Sequence, residues 1–246
     1  MQEIAIVCGG AGGIGRAVVG GLSRAGFLPV ILDSNQTAGD EAISALQQHD
    51  RTGVFVHADL TKKTEVETAF AGILKTYGRV DVLVNLAGGT LHANRIQDFS
   101  AKDWQRVIDV NLKATFLTCQ AAIPIMKRAR SGVIINTSSN FGVTGSPRRT
   151  AYSAAKAAVI AFTKSLALEV APYGIRANVI APGLTATQRV MSHYSPEQWN
   201  EQTRPIPIGR AAEPEEIAEG VVFLSSSTSG FMTGQTLHVN GGLVLP

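Results

Sequence analysis

The stretch IAIVCGGAGGIG, from Ile4 to Gly15, decides the fold of this 246-residue chain. Its first five residues are apolar and lead into glycines, which predicts a short, buried strand of a parallel sheet. The periodic apolar residues from Arg16 to Ala25 then predict a helix that stops at Gly26. Glycines between a strand and a helix allow a tight turn and a close approach of the backbone to a pyrophosphate group. The stretch therefore predicts the first strand, turn and helix of a dinucleotide-binding fold.

Apolar runs and helical periodicity alternate along the rest of the chain. Further strands are predicted at residues 27–32, 54–57, 80–84, 133–137, 175–180 and 236–239, and further helices at 37–49, 62–77, 101–130, 151–173 and 214–224. Pro124 is expected to kink the long helix. Such alternation predicts the α/β class, a Rossmann-type doubly wound sheet of seven parallel strands with helices on both faces. No repeat or linker divides the chain, which predicts a single domain over residues 1–246 with the irregular segment 184–214 as a substrate lid.

Composition and charge exclude several classes of protein. The net charge is +3, from 22 Lys and Arg against 19 Asp and Glu, and no long basic run favours a nucleic-acid partner. The N-terminus does not resemble a secretion signal, and no apolar stretch approaches the length of a membrane span. Cys8 and Cys119 lie inside apolar elements and are expected to be buried thiols in a reducing compartment. The sequence thus predicts a cytoplasmic protein with no metal, nucleic-acid or membrane partner.

Carboxylates follow the second and third predicted strands. Asp33 lies twenty residues beyond Gly13 and can accept hydrogen bonds from both hydroxyls of an adenosine ribose. Its charge repels a 2′-phosphate and neither Ser34 nor Asn35 supplies a cation, so NAD(H) is predicted over NADP(H). The alternative is that Asp33 caps the next helix, a role equally open to Ser34 and Asn35. Asp59 is expected to meet the adenine amino group, with a helix cap as its alternative.

Tyr152 and Lys156 lie four residues apart at the start of the predicted helix 151–173. Residues at this spacing share one helix face, so the phenol and the ammonium are expected to lie side by side. A nearby cation favours the phenolate and lowers the pKa of a tyrosine from its ordinary value of about 10. The pair is therefore predicted to transfer protons near neutral pH, the alternative being two solvated side chains.

With these residues in view, the chain resembles the compact single-domain branch of the short-chain dehydrogenase/reductase family over nearly its whole length. The matching motifs are, in order, the glycine-rich turn from Cys8 to Gly15, the loop Asn85-Leu86-Ala87-Gly88, Asn111, Ser139 thirteen residues before Tyr152, and Pro182-Gly183. Cys8 replaces a threonine whose hydroxyl, in the family, ties the first turn to the loop after strand four. Leu86 replaces the second asparagine of that loop, so one apolar contact is expected in place of one polar tie.

The resemblance implies a role for each candidate catalytic residue. Tyr152 exchanges a proton with the substrate oxygen, and Lys156 lowers the Tyr152 pKa and holds the nicotinamide ribose. Ser139 orients the substrate oxygen, whereas the side chain of the rival Ser138 is expected to point to the other side of the chain. Asn111 holds a water of a proton relay, with pairing to backbone as its alternative. The expected cofactor contacts are Gly9, Gly12, Gly13, Ile14, Gly15, Asp33, Asp59, Leu60, Asn85, Ala87, Gly88, Tyr152, Lys156, Pro182, Gly183, Thr185 and Thr187.

The implied activity is NAD(H)-dependent interconversion of a secondary alcohol and a ketone by a homotetramer, with the hydride carried by the nicotinamide. Substrate contacts are expected from residues 89–95, 140–150 and 184–207, where Arg148 and Arg149 either pair with an acidic substrate group or are solvated. One alternative is an NADP(H)-dependent reductase of carrier-bound 3-oxoacyl thioesters, for which Arg130 matches one docking position while Tyr173 stands at the other. The alternative from another class is a cofactor-binding scaffold or sensor without catalysis.

Overall fold

A computed structural model of the protein describes residues 2–245, which build one seven-stranded parallel sheet. The strands are β1 (Ile4–Cys8), β2 (Leu28–Asp33), β3 (Val54–His57), β4 (Val82–Asn85), β5 (Gly132–Thr137), β6 (Ile175–Pro182) and β7 (Thr236–Val239). Their order is β3-β2-β1-β4-β5-β6-β7, and every neighbouring pair is parallel. The strand order reverses between β1 and β4, which is where open α/β sheets bind ligands. The predicted fold class is confirmed.

Helices cover both faces of the sheet. They are α1 (Gly13–Arg24), α2 (Gln36–Gln47), α3 (Lys63–Tyr77), α4 (Ala101–Ile108), α5 (Ala114–Ala129), α6 (Phe141–Thr144), α7 (Thr150–Val170), α8 (Gln188–Met191), α9 (Pro196–Thr203) and α10 (Pro214–Ser225). Alternate residues of β1 enter opposite cores because side chains alternate along a strand. Ile4 and Ile6 join the core beneath α3, α5 and α7, and Ala5 and Val7 join the one beneath α1, α2 and α10.

The long helix predicted at residues 101–130 is interrupted at Asn111. A π-helical turn, Asp109–Lys113, separates α4 from α5, whereas Pro124 lies inside α5. The Asn111 amide donates a hydrogen bond to the Val107 carbonyl oxygen at 2.9 Å and so takes part in this wider turn. Such π-helical turns are frequent at functional sites.

The segment 184–214 is less irregular than predicted, because it contains the short helices α8 and α9. Thr187 caps α8 through its side chain, and Ser195 forms a capping box with Gln198 at the start of α9, where Pro196 occupies the first turn. These helices span four and eight residues, too few for apolar periodicity to reveal them.

The remaining differences are small. Helix α6 and the 3₁₀ turns Ile96–Asp98, Ala171–Tyr173 and Ser227–Ser229 are too short to be visible as periodicity. Gly78 ends α3 in the left-handed conformation, as expected of a helix stop. Across the part of the chain that the structure describes, no helix is both long enough and apolar enough to cross a membrane. Cys8 and Cys119 are buried, and burial raises the pKa of the Cys119 thiol to about 12.

Candidate active site

The glycine-rich turn places the start of α1 at the carboxyl edge of the sheet. Gly12 is the N-cap, and no acidic side chain lies in the first turn of the helix. Within residues 2–245, the N–H groups of Gly13, Ile14 and Gly15 have no hydrogen-bond acceptor. Gly13 is exposed and Ile14 is partly exposed, whereas Gly15 is buried, so the first N–H groups and the positive end of the helix dipole are open to an anion. The turn can hold a pyrophosphate.

Two glycines of this turn are required by close packing. A Cβ on Gly15 would overlap the carbonyl oxygen of Gly9. Gly9 has a φ of +79°, and a Cβ on it would lie 2.6 Å from the backbone nitrogen of Ala87. The turn is therefore folded tightly on itself and against the loop that follows β4.

Gly15→Ala is expected to lower the free energy of unfolding by about 1–3 kcal/mol, since the added methyl overpacks the turn. NADH affinity should fall with it. Gly72→Ala is the matched control, because Gly72 is exposed in α3 and a Cβ there meets no atom within 4 Å. Its helix propensity should raise stability by roughly 0.5–1 kcal/mol. Urea unfolding and NADH titration measure both, and equal stability of the two variants would contradict the packing argument.

Asp33 ends β2 beside the turn, and it does not cap α2. Its carboxylate accepts hydrogen bonds from the Ala11 N–H at 3.3 Å and from the Asn35 N–H at 3.1 Å. The cap of α2 is Asn35, whose side chain accepts from the Ala38 N–H. Asp33 is partly exposed, and its oxygens keep acceptor capacity for the hydroxyls of a ribose.

Arg16 is a residue near this edge that the sequence reasoning missed. Its guanidinium donates to the carbonyl oxygens of Ala11 and Ala38 and to the carboxylate of Glu41, the last at 2.6 Å. Its position directly after the glycine turn was the feature of the sequence that could have identified it. Because Glu41 pairs with Arg16, the charge of this guanidinium is already compensated.

Asp59 and Leu60 follow β3, and local contacts occupy both. Asp59 accepts hydrogen bonds from the Thr61 N–H and hydroxyl at 3.0 and 2.7 Å, and Lys62 lies 3.5 Å away. Partial burial raises the Asp59 pKa, but Thr61 and Lys62 outweigh it and hold the pKa below its ordinary value. The N-cap of α3 is Lys62, so the cap alternative for Asp59 does not apply. Leu60 lies in the core.

The Asn85 side chain lies in the core rather than in the cofactor cleft. It belongs to a network of buried hydrogen bonds, here called the polar ladder, formed by Asn85, Thr118, Asn136 and Thr163. The Asn85 amide donates to Asn136 at 2.8 Å and accepts from Thr118 at 2.7 Å, and Asn136 donates to Thr163 at 2.9 Å. Alternation along β4 turns Asn85 towards α5 and α7, as it does Leu83. Cofactor contact by this residue is thereby confined to its backbone.

The two departures from the family pattern do not contact each other. Cys8 and Ala87 lie on one face of the sheet, and Leu86 packs on the other. Among the described residues, the expected apolar contact between Cys8 and Leu86 is therefore absent. The Leu86 N–H instead donates to the Cys8 carbonyl oxygen at 2.8 Å, so a backbone hydrogen bond joins the two segments. Gly88, next in the loop, is exposed at a φ of +140°.

Asn111 clamps this loop through its side chain. Its carbonyl oxygen accepts from the Gly89 N–H at 3.0 Å, and its amide donates to the Gly89 carbonyl oxygen at 2.9 Å. The side chain is fully buried, and its other amide proton is used by Val107. The Asn111 side chain therefore pairs with backbone and positions the loop, and its part in a proton relay stays a prediction.

Ser139, Tyr152 and Lys156 converge at the carboxyl end of β5. Burial raises the Tyr152 pKa above its ordinary value, while the facing Ser139 hydroxyl and the cations Arg149 and Arg189 lower it in part. The Lys156 Nζ lies 5.7 Å from the centre of the Tyr152 ring and donates to the Thr137 carbonyl oxygen at 2.8 Å. This differs from the expectation that Lys156 lowers the Tyr152 pKa, because burial dominates and the ammonium is held by the backbone.

Lys156 is itself perturbed, since only 3% of it is exposed. Burial lowers its pKa to about 8, which leaves a substantial neutral fraction in mildly alkaline solution. The Ser138 hydroxyl is also buried and donates to the Lys156 carbonyl oxygen at 2.8 Å. Ser138 thus fastens α7 to β5 and leaves Ser139 facing Tyr152, in the arrangement expected from alternation.

The far wall of the cleft is the start of segment 184–214. Gly183 continues β6, and its N–H donates to the Val239 carbonyl oxygen. Thr185 and Thr187 are buried, and Thr187 touches the glycine turn, since a Cβ on Gly13 would lie 2.8 Å from its side chain. Asn140, the first residue of the predicted substrate segment 140–150, is 4% exposed and lies against Gly183, so its side chain is closed to substrate.

Known proteins match the whole chain. A family model described as enoyl-(acyl carrier protein) reductase matches residues 9–244. Cyclopentanol dehydrogenase of Comamonas sp. (strain NCIMB 9872) is 35% identical over 244 residues, which cover 98% of this chain and 96% of that protein. The 3-oxoacyl-acyl-carrier-protein reductase FabG of Haemophilus influenzae is 40% identical over 243 residues, with coverage of 99% and 98%. The crystal structure of gox2181 has a TM-score of 0.95 and 34% identity, covering 98% of this chain and 95% of its own.

The doubly wound sheet and the matching relatives define an oxidoreductase that binds a nicotinamide dinucleotide. The family model and the relatives match nearly the whole chain, which identifies the family within this class of oxidoreductases. The chain belongs to the short-chain dehydrogenase/reductase family, and the resemblance stated from its motifs is confirmed.

Proposed function

We propose that the protein is an NAD(H)-dependent oxidoreductase that interconverts a secondary alcohol and a ketone. The observation that carries the proposal is the facing pair of hydroxyls of Ser139 and Tyr152, together with a glycine turn whose last N–H groups have no acceptor within residues 2–245. The name of the Comamonas relative, cyclopentanol dehydrogenase, supports a secondary alcohol as the reacting group.

The residues of the site hold the cofactor, orient the substrate or transfer a proton. The N–H groups of residues 13–15 bind the pyrophosphate, and Asp33 accepts hydrogen bonds from the adenosine ribose. When bound, the cofactor supplies or accepts the hydride. Ser139 orients the substrate oxygen, and Tyr152 donates a proton to it in reduction and withdraws one in oxidation. Lys156 holds ribose hydroxyls and fixes the α7 face that carries Tyr152. Gly183, Thr185 and Thr187 line the nicotinamide side beneath the lid.

The preference for NAD(H) rests on charge at the adenosine end. Asp33 stands where a 2′-phosphate would lie and would repel it, and neither Ser34 nor Asn35 is cationic. Arg16 is close to this edge, but Glu41 neutralises it through a 2.6 Å contact. The two carboxylates act in the same direction, and both favour the unphosphorylated ribose.

Fluorescence titration of the purified protein with NADH and with NADPH tests the cofactor assignment without any substrate. We expect tighter binding of NADH, followed by NAD-dependent oxidation in a screen of secondary alcohols that includes cyclopentanol. Tighter binding of NADPH would contradict the role given to Asp33. Binding of NADH without turnover of any alcohol or ketone would instead indicate a scaffold or sensor.

The double variant Asp33→Ser, Glu41→Gln is expected to reverse the cofactor preference. It removes the ribose acceptor and releases Arg16 to meet a 2′-phosphate. Loss of hydrogen bonds to a charged acceptor costs about 1.5–3 kcal/mol, so NADH affinity should fall roughly 10- to 100-fold while NADPH affinity rises. Asp40→Ser, which removes a carboxylate at an exposed position of the same α2, is the control and should leave both affinities unchanged. An unchanged preference in the double variant would contradict the assignment.

A second candidate is reduction of 3-oxoacyl thioesters with NADPH. It is favoured by relatives named 3-oxoacyl-acyl-carrier-protein reductase at 39–40% identity. The Arg130 guanidinium, which matches one docking position, donates to the Pro172 carbonyl oxygen, and Lys127 lies over the Tyr173 ring at the other position. Reduction of 3-oxobutanoyl-CoA with NADPH, faster than any ketone with NADH, would select this candidate.

We also propose a homotetramer, which the family resemblance implies and one apolar groove supports. The groove lies between the π-helical turn and α7 and is lined by Ile108, Leu112, Phe116, Ala158 and Phe162, with Gln105, Asp109 and Lys113 at its margin. Phe116 is 44% exposed, a large apolar side chain for a helix face in water. Light scattering of the purified protein measures the assembly, and a monomer at micromolar concentration would exclude it.

A further inference from the structure

Arginines from two separate segments border the loops next to the candidate catalytic Tyr152. Arg148 and Arg149 precede α7, and Arg189 lies in α8. The Arg189 guanidinium lies over the loop after β4, with one nitrogen 3.2 Å from the position of a Cβ on Gly89. Arg148 reaches the same loop, because its Nε donates to the Ala93 carbonyl oxygen at 3.2 Å.

Arg149 is held in place rather than solvated on a flexible loop. It is partly buried, and its guanidinium lies 5.0 Å from the centre of the Phe141 ring. One of its nitrogens donates to the Ser146 hydroxyl at 3.2 Å. The charges of both Arg149 and Arg189 act on Tyr152, because each lowers the pKa of its phenol.

These arginines have no counter-charge in the described chain. The ion pairs among residues 2–245 involve other side chains, and no carboxylate oxygen lies within 4.0 Å of Arg148, Arg149 or Arg189. Arg16 and Arg210, in contrast, are paired with Glu41 and Glu216. A cleft lined by charges of one sign attracts a ligand of the opposite sign.

The cofactor phosphates have their own expected site. Their expected site is the start of α1, on the side of Thr187 that touches Gly13. The Arg189 guanidinium instead lies over Gly89, and its charge acts on Tyr152. Arg148 is exposed and its Nε is engaged by the Ala93 carbonyl oxygen, which assigns it to holding the loop.

We propose that the substrate carries an oxyanion, a carboxylate or a phosphate, which Arg189 and Arg149 bind next to the reacting carbon. Guanidinium groups match the geometry of both anions through paired hydrogen bonds. The inference deepens the proposed function and rests on it, because it names the substrate class as acidic secondary alcohols and the corresponding oxo compounds. Neutral alcohols then bind without this contact.

The test separates anion binding from turnover by using complexes that cannot react. With NAD⁺ bound, a ketone has no hydride to accept, so titration calorimetry reports binding alone. The probes are 3-oxobutanoate, its methyl ester as the neutral match, and glycerone phosphate as the phosphate source. We expect at least roughly tenfold tighter binding of one anion than of the ester, equivalent to about 1.4 kcal/mol, and the stronger anion identifies the source.

Arg189→Gln and Arg149→Gln should remove the advantage of the anion and leave the ester unchanged. Arg128→Gln is the control, because it removes the same charge from an exposed position near the end of α5, at the opposite edge of the sheet. NADH titration of each variant is measured alongside. The inference is overturned if the ester binds as tightly as both anions, if the variants weaken all three probes equally, or if Arg189→Gln weakens NADH itself. Alcohol oxidation by the wild type reports separately on the proposed function.

Discussion

Tyr152→Phe is expected to lower kcat for alcohol oxidation and ketone reduction by roughly 10²–10⁴-fold, the usual contribution of a positioned proton donor. The ring remains, so packing on α7 and the affinity for NADH should be nearly unchanged. Stopped-flow measurement of NADH oxidation with a saturating ketone gives kcat, and fluorescence titration gives the affinity.

The pH profile supplies a second readout for this residue. Because burial raises the Tyr152 pKa, the phenol stays protonated through neutral pH and is suited to reduction. Oxidation needs the phenolate, so its rate should rise with pH across roughly 7–10 in the wild type. Tyr77→Phe, in α3, is the matched control and should keep both rate and profile. If the Tyr152→Phe enzyme kept more than a tenth of the wild-type kcat, Tyr152 would be excluded as the proton donor.

Lys156→Met is expected to abolish most turnover and, at neutral pH, to stabilise the fold. Folding lowers the pKa of Lys156 from 10.5 to about 8, so the unfolded chain binds more protons between these two values. The cost of burying the charge is therefore fully present below pH 8 and is relieved as pH rises towards 10. A shift of this size corresponds to about 3 kcal/mol, from which the lost hydrogen bond to Thr137 subtracts roughly 1 kcal/mol.

Urea unfolding of both proteins at pH 7 and pH 10 measures this linkage. The stability advantage of the Lys156→Met variant should be largest at pH 7 and should shrink or reverse by pH 10. Lys164→Met is the control, since Lys164 is exposed on the same helix and its replacement removes no buried charge. A stability difference that is independent of pH would show that the ammonium is not desolvated in the folded chain.

The fold was predictable because its signals are local and repeated. β1, β3 and β7 occur at the predicted residues, and the other four strands differ by one to two residues at one or both ends. Apolar runs between glycines require no knowledge of distant contacts. The short helices α8 and α9 escaped because their caps, Thr187 and Ser195, lie in a segment without apolar periodicity.

The candidate site was predictable in membership but not in orientation. The motif spacing brought Ser139, Tyr152 and Lys156 together, as the structure shows. The spacing did not show that the Asn85 side chain faces the core or that the Asn111 amide donates to backbone carbonyl oxygens, because a motif gives no side-chain direction. The sign of the Tyr152 pKa shift depends on burial, a property of the folded chain.

Arg189 could not be singled out from the sequence. It lies outside every motif, and only folding carries α8 to the loop after β4. Arg148 and Arg149 were visible beside Tyr152, but their sequence position could not distinguish a solvated side chain from one held against Phe141. Tertiary contact decides that question.

The polar ladder also has an evolutionary consequence. Asn85, Asn136, Thr118 and Thr163 are buried and supply one another's hydrogen-bond partners. Replacing one of them by an apolar residue therefore leaves its neighbour without a partner. A buried polar group without a hydrogen-bond partner lowers the stability of the fold by about 1–3 kcal/mol, whereas replacing both partners together can be nearly neutral. These positions are therefore strongly epistatic, and a lineage can exchange the ladder for an apolar core only through linked substitutions.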